Sequence, residues 1–231
     1  MITLYQFPPC WNLPSASPFC IKLETWLRIA SLPFSIEMMS DPRRAPKRKL
    51  PFIEDNGKIM ADSSLIIAGL KGQYRVLLDA HLNKSQENFA LALQRLIEEH
   101  LYWSIVYSRW IDSAGWPLTR SAYFGYLPFP VRAFVPACVR NQMKKALYGQ
   151  GMGRHLPEEI YRLGKQGISV LSDTLGDQRF FFGEQPASLD ATAFAFISSI
   201  IDYPVDTPLK THANLHKNLK RYCQNIRQSY Y

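Results

Sequence analysis

The chain has 231 residues, enough for a substantial core in one large domain or two small ones. Hydrophobic residues make up 47% and charged residues 20%, which excludes a wholly disordered chain. Lys plus Arg number 27 against 19 Asp plus Glu, a formal charge of +8 that favours anionic partners without choosing among small acids, phosphates, nucleic acid and lipid headgroups.

ITLYQF (2–7) is rich in strand formers and stops at Pro8-Pro9. After the loop PPCWNLPSAS, Cys20, Leu23, Leu27 and Ala30 recur at helical spacing, with Lys22 and Arg28 elsewhere on the wheel. Ser17 before Pro18 is a helix opening, Ser at the N-cap and Pro at the first helical position. Pro33 ends that helix, and PFSIEMM (33–39) reads as a second strand. DPRRAPKRK (41–49) is a basic loop. LPFIED (50–55), a turn at Asn56-Gly57 and KIMAD (58–62) read as a β-hairpin, and Asp62-Ser63 opens another helix. The segment 77–86, LDAHLNKSQ and its flank, is polar enough to link two regions.

Beyond residue 85 the period is helical. SQENFALALQRLIEEHLYWSIVYSRWI reads as one long helix, with apolar residues at 89, 93, 96, 97, 101 and 105. GWPLTRSAYFGYLPFP reads as an irregular connection, and residues 131–148 and 157–175 as two helices. SLDATAFAFISSII is a nearly all-apolar helix that belongs inside a bundle, and NLHKNLKRYCQNIRQSYY is a final basic helix. No apolar run approaches the ~20 residues of a membrane span. MITLYQFPPC lacks a basic n-region and a long apolar h-region, so no secretion signal and a cytoplasmic location are expected. Cys10, Cys20, Cys138 and Cys223 have no metal-ligand spacing, so no metal is expected and free thiols are.

The architecture is thus α+β: a small α/β domain over 1–76, then an all-helical domain over 85–231. That order, with three motifs, resembles the glutathione S-transferase superfamily. The motifs are SPFC at the start of the first helix, KLPFIEDNGKIMADSS (49–64) and FFFGEQPASLDATAF (180–194). Within it, SPFCIKLETWLR and SLDATAFAF are most similar to the branch of the failed axon connections proteins, the metaxins and their bacterial relatives. The resemblance implies a thioredoxin-like N-terminal domain, a helical C-terminal domain, glutathione as ligand, a small hydrophobic electrophile as second substrate and a homodimer. Two departures stand out. Ala187 replaces the Thr that caps the helix in the family, leaving Ser188 or the backbone to satisfy those amides. Nothing matches the Arg-Gly-Arg segment of the tyrosine-type enzymes.

Glutathione carries two carboxylates, an ammonium and a thiol of pKa ~8.5. A transferase must extend the tripeptide and stabilise its thiolate, and a helix N-terminus suits an anion. Ser17 is either a plain N-cap or a hydroxyl that donates to the glutathione sulfur. Tyr5 is a second candidate activator. Cys20 follows the inward pattern of Leu23 and Leu27, whereas Cys10 lies in the preceding loop. Either thiol would turn the protein into a thiol-disulfide or glutathionylation enzyme. The resemblance implies a cis bond before Pro51 that exposes the Leu50 backbone for β-like pairing with the tripeptide. It places Asp62 and Ser63 at the γ-glutamyl end, and Lys49 suits the glycine carboxylate. Tyr102, Tyr107 and Trp110 on the long helix are candidates for the electrophile pocket, with core packing as the alternative. A non-catalytic interaction scaffold is the competing class. Nucleic acid is not expected, because no recognition module accompanies the basic loop.

Overall fold

A computed structural model describes residues 1–231. Strands β1 (Ile2–Gln6), β2 (Phe34–Met38), β3 (Phe52–Asp55) and β4 (Lys58–Ala61) form one sheet in the order β2-β1-β3-β4. Helix α1 (Pro18–Ile29) crosses between β1 and β2, which are therefore parallel. β3 runs antiparallel to both β1 and β4. Asn56 and Gly57 close the β3–β4 hairpin with φ of 50° and 79°, the left-handed pair that matches the twist of the strands. Helix α2 (Ser63–Gln73) follows. Ile2, Leu4 and Ile53 alternate onto one face of the sheet and meet Leu23, Trp26 and Leu27 of α1 and Ile66 and Leu70 of α2.

The helical part begins at α3 (Lys84–Arg95), opened by a reciprocal cap between Asn83 and Gln86. The expected long helix does run to Ile111, but it is not uniform. Wider π-type turns at Leu96–Leu101 and Tyr107–Ile111 flank α4 (Tyr102–Val106). Such turns re-aim side chains and occur often at functional sites.

The segment read as irregular contains a helix, α5 (Trp116–Phe124). Pro117 sits in its first turn, where no amide partner is lost. Gly115 precedes it because a Cβ there would lie 2.0 Å from the Ser108 carbonyl oxygen. Helices α6 (Val131–Gln150), α7 (Pro157–Leu175) and α8 (Ser188–Ile201) come next. The chain ends in two helices where one was expected, α9 (Pro208–Leu215) and α10 (Lys217–Tyr230). Thr207 caps α9 through its hydroxyl, and extended backbone at His216 (φ −92°, ψ 93°) separates the pair.

Almost every residue of α8 is buried, as its apolar sequence requires. It lies along α1: the Trp26 indole donates to the Ser188 hydroxyl at 2.9 Å, and Phe19 meets Phe196 edge-on at 5.2 Å. No helix is long and apolar enough to cross a membrane.

Candidate functional site

Ser17 occupies the N-cap position of α1 with Pro18 following, but its hydroxyl makes no capping bond. Its carbonyl accepts from Cys20 and Ile21, so the backbone alone starts the helix. The hydroxyl is half-buried and lies close to the Cys20 thiol. The hydroxyl therefore does not cap the helix, and its contact is with the Cys20 sulfur.

Cys20 is fully buried against Ala45, Leu50 and Phe52. Burial pushes its thiol up to about 11, despite the Phe7 amide and the Ser15 and Ser17 hydroxyls that favour the thiolate. Burial pushes Cys10 up to about 12, with Arg109 pulling the other way. In both, burial disfavours the thiolate that a nucleophile needs. The Tyr5 ring stacks on Phe52 at 4.3 Å, and its hydroxyl donates to Glu54 at 3.4 Å. Burial and the Glu54 carboxylate raise its pKa, so it is poorly suited to stabilise a thiolate.

The Leu50–Pro51 bond is cis, and Leu50 is buried beside Cys20 in the lee of α1. Its amide and carbonyl have no hydrogen-bond partner within the protein. They form a short unpaired edge able to bond an extended peptide. Lys49, next to it, is exposed and makes no ion pair.

Asp62 caps α2 through one carboxylate oxygen, which accepts from Ser64 and Leu65 at 3.1 and 3.2 Å. Its φ of 86° is strained for a residue other than glycine, a feature that gathers at functional sites. Ser63 is buried, and its amide and hydroxyl are both unpaired at the helix N-terminus. That pair of donors, with the helix dipole behind it, suits a carboxylate.

Behind Ser63 lies a buried network absent from the sequence reading. The Lys22 ammonium donates to Glu98 at 2.5 Å and to the Ser64 hydroxyl at 2.8 Å. Gln94 donates to both Ser64 and Glu98, at 3.0 and 3.1 Å. Lys22 is 1% exposed and Glu98 5%, so the side of α1 away from Cys20, Leu23 and Leu27 is buried as well. Burial lowers the Lys22 pKa and Glu98 opposes that shift.

The second π turn carries Arg109, 4% exposed and paired with no carboxylate. It donates to the Ala16 carbonyl at 3.0 Å and the Ser199 carbonyl at 2.6 Å, and its Nε is buried without a partner. Its guanidinium lies 4.8 Å from the Trp11 ring and 5.1 Å from that of Tyr203. The Tyr123 hydroxyl donates to the same Ala16 carbonyl at 3.0 Å. Two donors from the helical part thus hold the residue before Ser17, and an uncompensated cation adds positive potential at the start of α1.

The three candidate pocket aromatics separate. Tyr102 meets Phe19 of α1 at 4.9 Å. Trp110 meets Tyr123 at 5.1 Å, and Tyr123 meets Phe7 at 5.4 Å. Both chains of rings reach the region around Ser17. Tyr107 instead meets Tyr161 of α7 at 5.6 Å. Tyr123, Trp11 and Arg109 were missed by the sequence reading.

Two family profiles match the chain, one described as Glutathione S-transferase N-terminal domain over residues 18–115 and one as Glutathione S-transferase, C-terminal domain over residues 164–226. The isoprene-epoxide–glutathione S-transferase of Rhodococcus sp. (strain AD45) is 35% identical, covering 100% of this chain and 99% of the relative. Failed axon connections of Drosophila melanogaster is 37% identical over 87% of this chain, which spans 50% of that protein. Metaxin-1 of Homo sapiens is 31% identical over 83% of this chain and 42% of its own length. In fold, the chain is similar to a Ceriporiopsis subvermispora glutathione S-transferase solved in complex with glutathione: TM-score 0.67 and 15% identity, over 99% of this chain and 96% of that one. A thioredoxin-like sheet with a cis-proline edge, an all-helical second half and full-length similarity to a named transferase lead to one assignment. The chain belongs to the glutathione S-transferase superfamily, in the branch that contains failed axon connections and the metaxins.

Proposed function

We propose that the protein binds glutathione and conjugates it to small hydrophobic electrophiles, with epoxides as the class to test first. The observation that carries this reading is the set of unpaired groups at the cis-proline edge and the start of α2: the Leu50 amide and carbonyl, and the Ser63 amide and hydroxyl. In this reading Leu50 pairs with the cysteinyl residue of the tripeptide. Ser63 holds the γ-glutamyl carboxylate, Asp62 orients that end with its second oxygen, and Lys49 faces the glycine carboxylate. The Ser17 hydroxyl donates to the sulfur, and the α1 N-terminus and Arg109 favour its negative charge. The thiolate then attacks an epoxide carbon. A C–S bond forms, the C–O bond breaks, and the alkoxide takes a proton from water, replacing the one the thiol released to solvent on binding. Tyr102, Trp110 and Tyr123 wall the electrophile, and Tyr107 packs against Tyr161 of α7. Full-length similarity to the Rhodococcus transferase supports the substrate class. The protein works as a cytoplasmic homodimer in this reading.

Calorimetric titration of reduced glutathione into the protein tests it. We expect micromolar to low-millimolar binding, weakened about tenfold in Ser63→Ala by loss of a hydrogen bond to a charged group. No binding at several millimolar would overturn the transferase reading in favour of an interaction module. In the saturated complex, Ser17→Ala should raise the pKa of the bound thiol by about one to two pH units, followed by thiolate absorbance. An unchanged thiol pKa would leave Ser17 as a backbone cap only.

A further inference from the structure

Between Asp112 and Glu158 the chain has no acidic residue, while Arg120, Arg132, Arg140, Lys144, Lys145 and Arg154 fall within it. This stretch forms α5, its connection to α6, and α6 itself. The connection carries aromatic side chains outward. Phe129 is 83% exposed, Phe134 69% and Tyr126 58%. Isolated exposed apolar residues are ordinary, but three rings within nine residues, with Val131 also exposed between them, form a patch. Phe129 stands between Pro128 and Pro130, which restrict the backbone that presents it. On α6, Phe134, Cys138, Asn141, Lys145 and Tyr148 are all exposed, and their spacings of four and three residues place them on one face.

A groove of about 330 Å³ opens between α5 and α6, and its lining includes Ala133, next in the chain to Phe134. Arg120, Arg140 and Lys144 line it, and no acidic side chain does. Arg140 is fixed there: it stacks on Trp116 at 4.9 Å and donates to the Trp110 and Ile111 carbonyls, both at 2.9 Å. The loop before Pro51 is another basic stretch of the chain. In that loop Asp41 pairs with Arg43, whereas Arg44, Lys47, Arg48 and Lys49 are exposed without acidic partners.

We infer that this face docks on an anionic phospholipid bilayer, with Tyr126, Phe129 and Phe134 entering the headgroup–acyl boundary and the α5–α6 groove receiving a lipid phosphate. Apolar rings among cations match the two attractions available at such a surface, burial of apolar area and the negative potential of acidic lipids. A second copy fits poorly, because the acid-free face would meet its own cations. Nucleic acid would satisfy the charge and stack on the rings, but gives no reason for the aliphatic Val131 to project with them. The arrangement would bring the protein to the phase in which hydrophobic small molecules concentrate.

Cosedimentation of the full chain with sucrose-loaded vesicles tests the inference. One set is phosphatidylcholine alone; the other contains about one third phosphatidylserine. The protein should pellet with the second and stay in the supernatant with the first, and added salt should release it. Phe129→Ser with Phe134→Ser should cut the partition coefficient about tenfold or more. Arg120→Gln with Lys144→Gln and Lys145→Gln should cut it about fivefold per cation. All five positions are exposed, and circular dichroism will confirm that the variants fold. Equal pelleting with both vesicle types, no pelleting, or indifference to either variant set would overturn the proposal. So would sensitivity to the charge variants alone with full competition by inorganic phosphate, which marks a small-anion site. Conversion of a dimer to a monomer by the aromatic variants would assign the patch to self-association instead and likewise overturn it.

Discussion

Lys22→Met should lower the free energy of unfolding by about 3–5 kcal/mol, read as a drop in the urea midpoint with an unchanged slope. The ammonium it removes is the partner of a carboxylate that is itself only 5% exposed. Glu98 would be left with hydrogen bonds from Gln94 and Ser64 at 3.1 and 3.5 Å and no counter-charge. Two charges brought out of water repay their desolvation only when they stay paired, so breaking the pair costs far more than the pair contributes. The double variant Lys22→Met, Glu98→Leu should therefore recover most of the loss. The same residues give a functional readout. Lys22 and Gln94 fix the Ser64 hydroxyl, next in the chain to Ser63 at the start of α2. Glutathione affinity in the double variant should fall although stability returns. A cost below about 1 kcal/mol for Lys22→Met would show instead that water reaches Glu98 and screens it.

That network also shows where sequence reading stops. The hairpin at Asn56-Gly57, the proline edge at Pro51 and the acidic-Ser start of α2 were legible because each is a local signal carried by adjacent residues. The buried helix at 188–201 was legible because it is apolar all round. The burial of Lys22 is not legible in sequence, because the partner that permits it is 76 residues away. Helix α5 was obscured by Gly115, Pro117 and the proline-rich stretch after it, which punctuate a sequence whether or not a short helix fits between them. The break at His216 has neither Gly nor Pro to announce it.

The candidate site divides in the same way. Ser17, Leu50, Pro51, Asp62 and Ser63 belong to short motifs with backbone roles, so a resemblance locates them. Arg109 and Tyr123 reach Ala16 across 93 and 107 residues, and neither sits in a motif. A single signal pointed to Arg109: a cation in the apolar part of the long helix, one position before Trp110, with no acid three or four residues before it. Tyr107 packs on Tyr161 of α7, away from the rings that reach Phe19 and Phe7. Aromatic residues at helical spacing look alike in sequence, and only packing separates the wall of a site from the core.

The start of α8 was expected to rely on Ser188 or on backbone, since Ala187 cannot cap. The Ser188 amide in fact donates to Asp79 at 2.6 Å, a carboxylate from the linker 109 residues earlier that also pairs with Lys71. Asp190 completes the arrangement. Its two oxygens accept from the Ala187 amide at 2.8 Å and the Phe181 amide at 3.0 Å, and Tyr222 donates to it at 3.2 Å. Asp190→Ala leaves both amides buried and unpaired and should cost about 2–4 kcal/mol of stability at neutral pH.

Its pH dependence has a definite sign. Burial pushes the Asp190 carboxyl up to about 6, against the three donors that favour the carboxylate. In the unfolded chain the same group titrates near ~3.9. A carboxyl whose pKa is raised on folding holds its proton more tightly in the native state. Its stabilising contribution is complete below the unfolded value and is lost as pH rises through about 6. Between pH ~4.5 and ~7 that loss amounts to about 2 kcal/mol. Asp190→Asn cannot titrate, so its deficit against the wild type should narrow by this amount over the same interval, measured by urea unfolding at both pH values. A deficit that widens toward neutral pH would reverse the conclusion. The capping bonds would then outweigh burial, and the α8 start would be held by a carboxylate that folding makes more acidic, not less.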